Sequence, residues 1–102
     1  MPVTPSIEEL LKNGESQSVE FKTSFGREVV ETLVAFANAQ GGTVLIGVAD
    51  DGSVQGVTIG KETLNDWLGQ VKSATSPAII PDVDTVEVEG KLIVRIHISE
   101  YP

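Results

Sequence analysis

The segment Thr43-Val44-Leu45-Ile46-Gly47-Val48 most strongly limits how this chain can fold. It is rich in β-branched residues and almost entirely apolar, without the polar and apolar alternation of a strand that has one face in water. The run predicts a central strand buried on both faces. A helix with a broad apolar stripe is expected before it, over 27–40, and Gly41-Gly42 ends that helix with the first glycine in a left-handed conformation.

Other segments show the periods of helices and strands. A short helix over 7–13 begins at the N-cap Ser6 and ends at Gly14. A third helix over 61–75 carries apolar residues at helical spacing. Sequence alternation and turn signals predict further strands over 18–22, 54–57, 83–88 and 92–98.

These elements predict a single α+β domain over residues 1–102. Its sheet is expected to be mixed or largely antiparallel, to contain about five to six strands, and to be covered by three helices. Because the sequence stops just after a strong strand, we expect an N-terminal fragment of a longer protein.

Composition excludes several classes of protein. The chain has no Cys, so it contains no disulfide, zinc–thiolate site or cysteine nucleophile. Its apolar runs are far shorter than the roughly 18 residues of a membrane span, and its first residues do not resemble a signal peptide. We therefore expect a cytoplasmic protein that does not enter a membrane.

The charge balance bears on partners. Fifteen Asp and Glu residues against seven Lys and Arg give a net charge of −8, and the cations are scattered. Because affinity for nucleic acid comes largely from cations that neutralise phosphates, the chain alone should bind it weakly. Binding would require clustered cations, a metal ion or the charge of a partner.

The most informative polar group is Glu20 and Lys22, which lie two residues apart and so project from the same face of a strand. A carboxylate that holds Mg²⁺ or Mn²⁺ beside a lysine that stabilises phosphate charge is typical of metal-dependent nucleases. Glu15 precedes the same strand, and Asp50 follows another one, so both are candidate metal ligands. The alternative is a solvated strand face with an ion pair worth about 0–1 kcal/mol.

Two other patterns exclude particular kinds of binding site. The glycines at 41 and 42 follow a helix and precede a strand, the reverse of a phosphate-binding loop, and no G-x-x-x-x-G-K-[ST] motif is present, so we do not expect ATP to bind. His97 is the single histidine, which excludes a paired-histidine metal site.

Three ordered motifs resemble the Schlafen AlbA-type domain, which is also described as a divergent AAA-type module. They are E-S-x-x-x-E-F-K from Glu15, A-F-A-N-x-x-G-G from Ala35, and L-I-G-V-x-D-D-G-x-x-x-G from Leu45. Such domains usually begin longer bacterial or archaeal proteins that look like transcriptional regulators. The resemblance implies a nucleic-acid-binding domain, and we expect Lys22, Arg27 and Asn38 to contact the nucleic acid.

In the animal relatives of this family, two glutamates of the first motif and an aspartate after the glycine-rich strand form a metal-dependent RNA-cleaving site. The glutamates correspond to Glu15 and Glu20. Family members often have Asp where Ala49 stands here. If the catalytic acid belongs at position 49, this chain lacks it; if Asp50 can substitute, the set of three acids is complete.

Three functions follow as hypotheses. The first is an N-terminal DNA- or RNA-binding domain of a protein similar to transcriptional regulators. The second is a nuclease in which Glu15, Glu20 and Asp50 hold the metal ion and Lys22 assists catalysis. The third is a protein-interaction module that forms a homo-oligomer through an exposed edge strand over 92–98.

Overall fold

The computed structural model describes residues 6–101, which form three helices and one four-stranded sheet. The elements are α1 (Ile7–Asn13), β1 (Val19–Lys22), α2 (Arg27–Ala37), β2 (Gly42–Ile46), α3 (Thr63–Ala74), β3 (Asp82–Val88) and β4 (Lys91–Ile98). The strands lie in the order β1-β2-β4-β3; β1 and β2 are parallel, and the other neighbours are antiparallel. The predicted α+β class, mixed sheet and three helices are confirmed.

The central strand β2 is buried on both faces, as its sequence predicts. Val44 and Ile46 belong to the hydrophobic core formed with α2 and α3. Leu45, between them, points to the opposite face and joins a second core that includes Leu10 of α1 and Phe21 of β1. The sheet is therefore a middle layer between helices on both sides. No helix between Ser6 and Tyr101 is long and apolar enough to cross a membrane.

The strand count is a correction, because the segment 54–57 forms no strand. Only an isolated bridge joins Val48 to Val54. Gly47, with φ of 107°, turns the chain out of β2, and its carbonyl accepts the N–H groups of both Gln55 and Gly56 at 2.8 Å. Because both N–H groups bind the same Gly47 carbonyl, the segment 54–57 does not continue the hydrogen-bond pattern of a strand. The sheet formed by residues 6–101 therefore has four strands.

The predicted edge strand over 92–98 is wrong. The corresponding strand β4 lies between β2 and β3, and the edges of the sheet are β1 and β3. Ile93 and Val94 are adjacent and both fully buried, which requires cover on both faces. That pair of apolar residues was the sequence signal for a central position.

The junction between α2 and β2 depends on its two glycines. The helix ends at Ala37, three residues earlier than predicted, and Gly41 adopts the expected left-handed conformation with φ of 83°. A Cβ atom at Gly42 would lie only 2.6 Å from the ring of the buried Phe36. Glycine at position 42 therefore lets the strand pass directly beside the helix that precedes it.

Replacing Gly42 tests this close approach. We expect Gly42→Ala to lower the free energy of unfolding by about 1–3 kcal/mol, because the buried ring must move. The matched control is Gly69→Ala in α3, where a Cβ atom meets nothing within 4 Å. That change should raise stability by about 0.5–1 kcal/mol through helix propensity. Urea denaturation measures both, and equal effects would contradict the assignment.

Candidate functional site

The predicted acidic and basic residues gather at the carboxyl ends of two parallel strands. Glu20 and Lys22 lie on β1, which pairs with β2 from Val19↔Thr43 to Lys22↔Ile46. The chain leaves β1 toward the N-terminus of α2, and Asp50 lies on the turn that follows β2. Ligands in open α/β sheets usually bind beyond such strand ends, so these residues occupy a favourable place.

Glu15 reaches this place because a tight turn folds it against the edge of β1. The Ser16 N–H donates to the Val19 carbonyl at 2.9 Å, which closes the turn. The outward N–H of Phe21 then donates to Glu15 Oε2 at 2.9 Å. This bond holds the Glu15 carboxylate next to Glu20, and the two side chains are hydrogen-bonded to each other.

Two carboxyl groups in such contact share a proton. The hydrogen bond with Glu15 raises the pKa of Glu20 to about 7, with partial burial and the negative charges of Glu15 and Asp50 acting in the same direction. The pKa of Glu15 is lowered, because it accepts the bond from Glu20 and a second one from the Phe21 N–H. Glu20 is therefore the member of the pair that carries the proton near neutral pH.

Lys22 is close to the carboxyl pair but has its own partner. Its Nζ donates to Glu28 Oε2 at 3.0 Å, and Glu28 lies in the first turn of α2. This bond is the main cause of the raised pKa of Lys22, to which the charges of Glu20 and Glu15 also contribute. The ammonium group is therefore bound to the Glu28 carboxylate and lies near the acidic pair of Glu15 and Glu20.

The two aspartates after β2 have different roles. Asp51 accepts hydrogen bonds from the backbone N–H and the hydroxyl of Ser53, at 2.9 and 2.7 Å, which fixes the turn. Asp50 is exposed, and its charge acts on Glu20. Of the two aspartates, Asp50 is therefore the one whose negative charge raises the pKa of Glu20.

The residues expected to contact nucleic acid are not all together. Arg27 begins α2 and is exposed near Lys22, and both border the concave loop between β1 and α2. Asn38 caps the other end of the same helix, about 16 Å away by helical rise. One contact surface at the acidic site would therefore include Lys22 and Arg27 but not Asn38.

The donor set suits a hard divalent cation only in part. Among residues 6–101, no three His, Cys, Asp or Glu side chains form a ready cluster for a metal. Two touching carboxylates remain, and Mg²⁺ is commonly held by one or two carboxylates while water and phosphate oxygens complete its shell. Glu15 and Glu20 fit that mode, whereas a site of three protein carboxylates would need Asp50 to move.

The sequence did not reveal every polar partner. Glu28 was missed, although its position in the first turn of α2, six residues after Lys22, was a usable signal. A separate groove of about 500 Å³ lies on the α1 face of the sheet, at the other end of β1 and β2. There Thr43 Oγ1 lies 3.0 Å from Nδ1 of His97, and Arg95 Nε donates to Asp84 Oδ1 at 2.9 Å.

Residues 15–102 match the family model described as Schlafen, AlbA_2. The chain belongs to the Schlafen AlbA_2 family. The matched segment begins at Glu15, so all the residues of the acidic site lie within the Schlafen AlbA_2 region, and α1 precedes it. Among curated proteins, none matches this sequence.

Two solved structures share the fold of this chain. One is the solution structure of the N-terminal domain of a Nitrosomonas europaea protein, described as related to the ATP-dependent DNA helicase RecG. It is 27% identical with a TM-score of 0.76, over 95% of this chain and 74% of that one. The other is the DIP2311 protein of Corynebacterium diphtheriae, 17% identical with a TM-score of 0.70 over 92% of this chain. The present chain covers 21% of that protein.

The proton shared by the carboxyl pair predicts a pH-dependent stability. Because the pKa of Glu20 rises from 4.5 to about 7 on folding, its contribution is complete below pH 4.5 and is lost as the pH rises through 7. Glu20→Gln cannot ionise and keeps a donor for Glu15. We expect the variant to be more stable than the wild type by about 1 kcal/mol at pH 8, after allowance for screening by water, and equal to it near pH 5. Urea titrations at both values measure this, and a difference independent of pH would contradict it.

Proposed function

We propose that this domain binds DNA or RNA as the N-terminal part of a cytoplasmic protein similar to transcriptional regulators, with Mg²⁺ or Mn²⁺ held by Glu15 and Glu20. The observation that carries the proposal is geometric: the Phe21 N–H holds the Glu15 carboxylate against β1, the strand that carries Glu20 and Lys22. Family membership and the likeness to the helicase-related N-terminal domain support a role with nucleic acid.

The charge distribution explains why a cation is part of the proposal. The chain carries −8, and two of its cations, Lys22 and Arg95, are paired with Glu28 and Asp84. Few cations are left to neutralise phosphates, and they are dispersed. A divalent ion on the carboxyl pair would supply the missing positive charge where Lys22 and Arg27 are also placed.

Each residue then has a defined part in binding. Glu20 releases its proton and, with Glu15, offers carboxylate oxygens to the ion. The Phe21 N–H fixes Glu15, so one ligand is oriented in advance by the backbone of β1. Arg27 contacts the nucleic-acid phosphates next to the ion, and Lys22 does so by exchanging its bond to Glu28 for one to a phosphate oxygen. The expected specificity is for the backbone, because none of these groups is arranged to read a base edge.

A second candidate function is cleavage at the same site. The observation that favours it is the position of Lys22, whose charge interacts with both Glu20 and Glu15. An ammonium group beside metal-binding carboxylates stabilises charge that develops on a phosphate during hydrolysis. Asp50 is the candidate third acid, in the position next to Ala49.

Binding should depend on the divalent ion. We expect the chain to bind a labelled single-stranded RNA or duplex DNA at low ionic strength only when Mg²⁺ or Mn²⁺ is present. Glu20→Gln should lose this ion-dependent binding. Fluorescence anisotropy measures it. The matched control is Glu8→Gln, which removes the same charge from the exposed side of α1. Absence of binding with the ion, or equal binding by Glu20→Gln, would reject the proposal.

Cleavage makes a separate prediction. If the site is catalytic, Mn²⁺-dependent cleavage of the labelled strand should disappear in Glu20→Gln and fall about a hundredfold in Lys22→Met, which loses the charge that stabilises the phosphate. Gel analysis of the products measures the rate. Cleavage that persists in Glu20→Gln would assign the activity to another site.

A further inference from the structure

The outer edge of β3 is open. β3 pairs only with β4, from Asp82↔His97 to Val88↔Lys91, and no other strand of residues 6–101 reaches it. All seven of its residues are extended, and four of them are exposed. An edge of this length presents unpaired backbone groups that another chain can use.

Hairpin geometry identifies those groups. The two-residue turn Glu89-Gly90 has positive φ at both positions, 55° and 74°, so Val88 and Lys91 form the hydrogen-bonded pair that closes it. Alternation then directs the N–H and C=O of Val83, Thr85 and Glu87 outward. The opposite strand agrees, because the carbonyl of Leu92 points away from β3 and accepts the Val57 N–H at 2.8 Å.

The other edge of the sheet is closed. On β1, the outward N–H of Phe21 is bound by Glu15, and the carbonyl of Val19 is bound by the Ser16 N–H. The turn over 15–18 thus occupies the positions that an added strand would need. Within residues 6–101, only the β3 edge offers a continuous set of donors and acceptors.

Charge decides which kind of chain fits this edge. Asp82 and Asp84 project from one face of β3 and Glu87 from the other, and all three are exposed. Arg95 partly neutralises Asp84. A second copy of this chain would bring two such acidic edges together, which is unfavourable. A segment with lysine or arginine opposite these acids would be attracted instead.

An apolar side chain extends the edge. Ile80 lies two residues before β3 and is 68% exposed, and no other large hydrophobic residue in the described part of the chain is classed as exposed. Its backbone N–H donates to the Tyr101 hydroxyl at 3.0 Å, which fixes its position. A strand that pairs with β3 and continues past Asp82 would run toward it.

We infer that the open edge of β3 binds an extended, basic segment of another protein by strand addition. The segment runs antiparallel to β3, with cationic residues opposite Glu87, Asp84 and Asp82 and apolar or β-branched residues between them. Backbone hydrogen bonds to Val83, Thr85 and Glu87 supply affinity, and the acids select the charge. The site lies at the opposite edge of the sheet from the carboxyl pair, so it stands independently of the proposed function.

A designed peptide tests the inference. The probe is the capped heptapeptide Val-Lys-Val-Thr-Lys-Val-Lys, and its control has Glu in place of each Lys. In ¹⁵N NMR titrations of the full chain, we expect the Lys peptide to shift the amide signals of Val83, Thr85 and Glu87 and to slow their hydrogen exchange. The Glu peptide should leave them unchanged.

Variants distinguish the contribution of backbone hydrogen bonds to binding from that of charge. Thr85→Pro removes an outward N–H that β4 does not use, so the hairpin is retained while binding should weaken about tenfold. Thr85→Val keeps that N–H and should bind like the wild type. Asp82→Asn combined with Glu87→Gln should weaken binding about fivefold, whereas Glu31→Gln on the exposed side of α2 should not.

Three results would overturn the inference. One is equal binding of the Lys and Glu peptides, and another is full binding by Thr85→Pro with an unchanged hairpin spectrum. The third is concentration-dependent dimerisation through β3, measured by light scattering and abolished in Thr85→Pro, which would show that the acidic edge selects a second copy.

Discussion

Burial of β2 on both faces is the constraint on which the rest of this structure depends. Val44 and Ile46 require cover from α2 and α3, and Leu45 requires cover from α1 on the other side. The strand lies between β1 and β4, and β3 is the outer neighbour of β4. The same arrangement makes β1 parallel to β2 and brings their carboxyl ends together.

One side chain links the architecture to the site. Glu15 closes the edge of β1 by accepting the Phe21 N–H, and the same bond presses its carboxyl group against Glu20. The cost of placing two acids in contact is reduced by a shared proton, which raises the pKa of Glu20 to about 7. Protection of a strand edge and the acidity of the site therefore have one physical cause. No such turn of residues 6–101 covers the β3 edge, which carries exposed acids on both of its faces.

Local patterns predicted most of the fold. Capping at Ser6, the apolar stripe of α2 and the alternation of β3 and β4 gave three helices and four of the five strands expected. The prediction for 54–57 failed because β-branched residues indicate strand propensity but not a partner, and the Gly47 carbonyl accepts the N–H groups of both Gln55 and Gly56. The edge position expected over 92–98 failed because strand order depends on which faces other elements cover.

The sequence by itself determined the residue types at the site and the period that places Glu20 and Lys22 on one face of a strand. Only the tertiary structure decided that Glu15 touches Glu20, that Lys22 bonds to Glu28, and that Asn38 lies at the far end of α2. The reason is physical: the period of a strand or helix is local and readable from spacing. Contacts between elements depend on how buried faces are shared, and for β2 that sharing is settled only when both hydrophobic cores form.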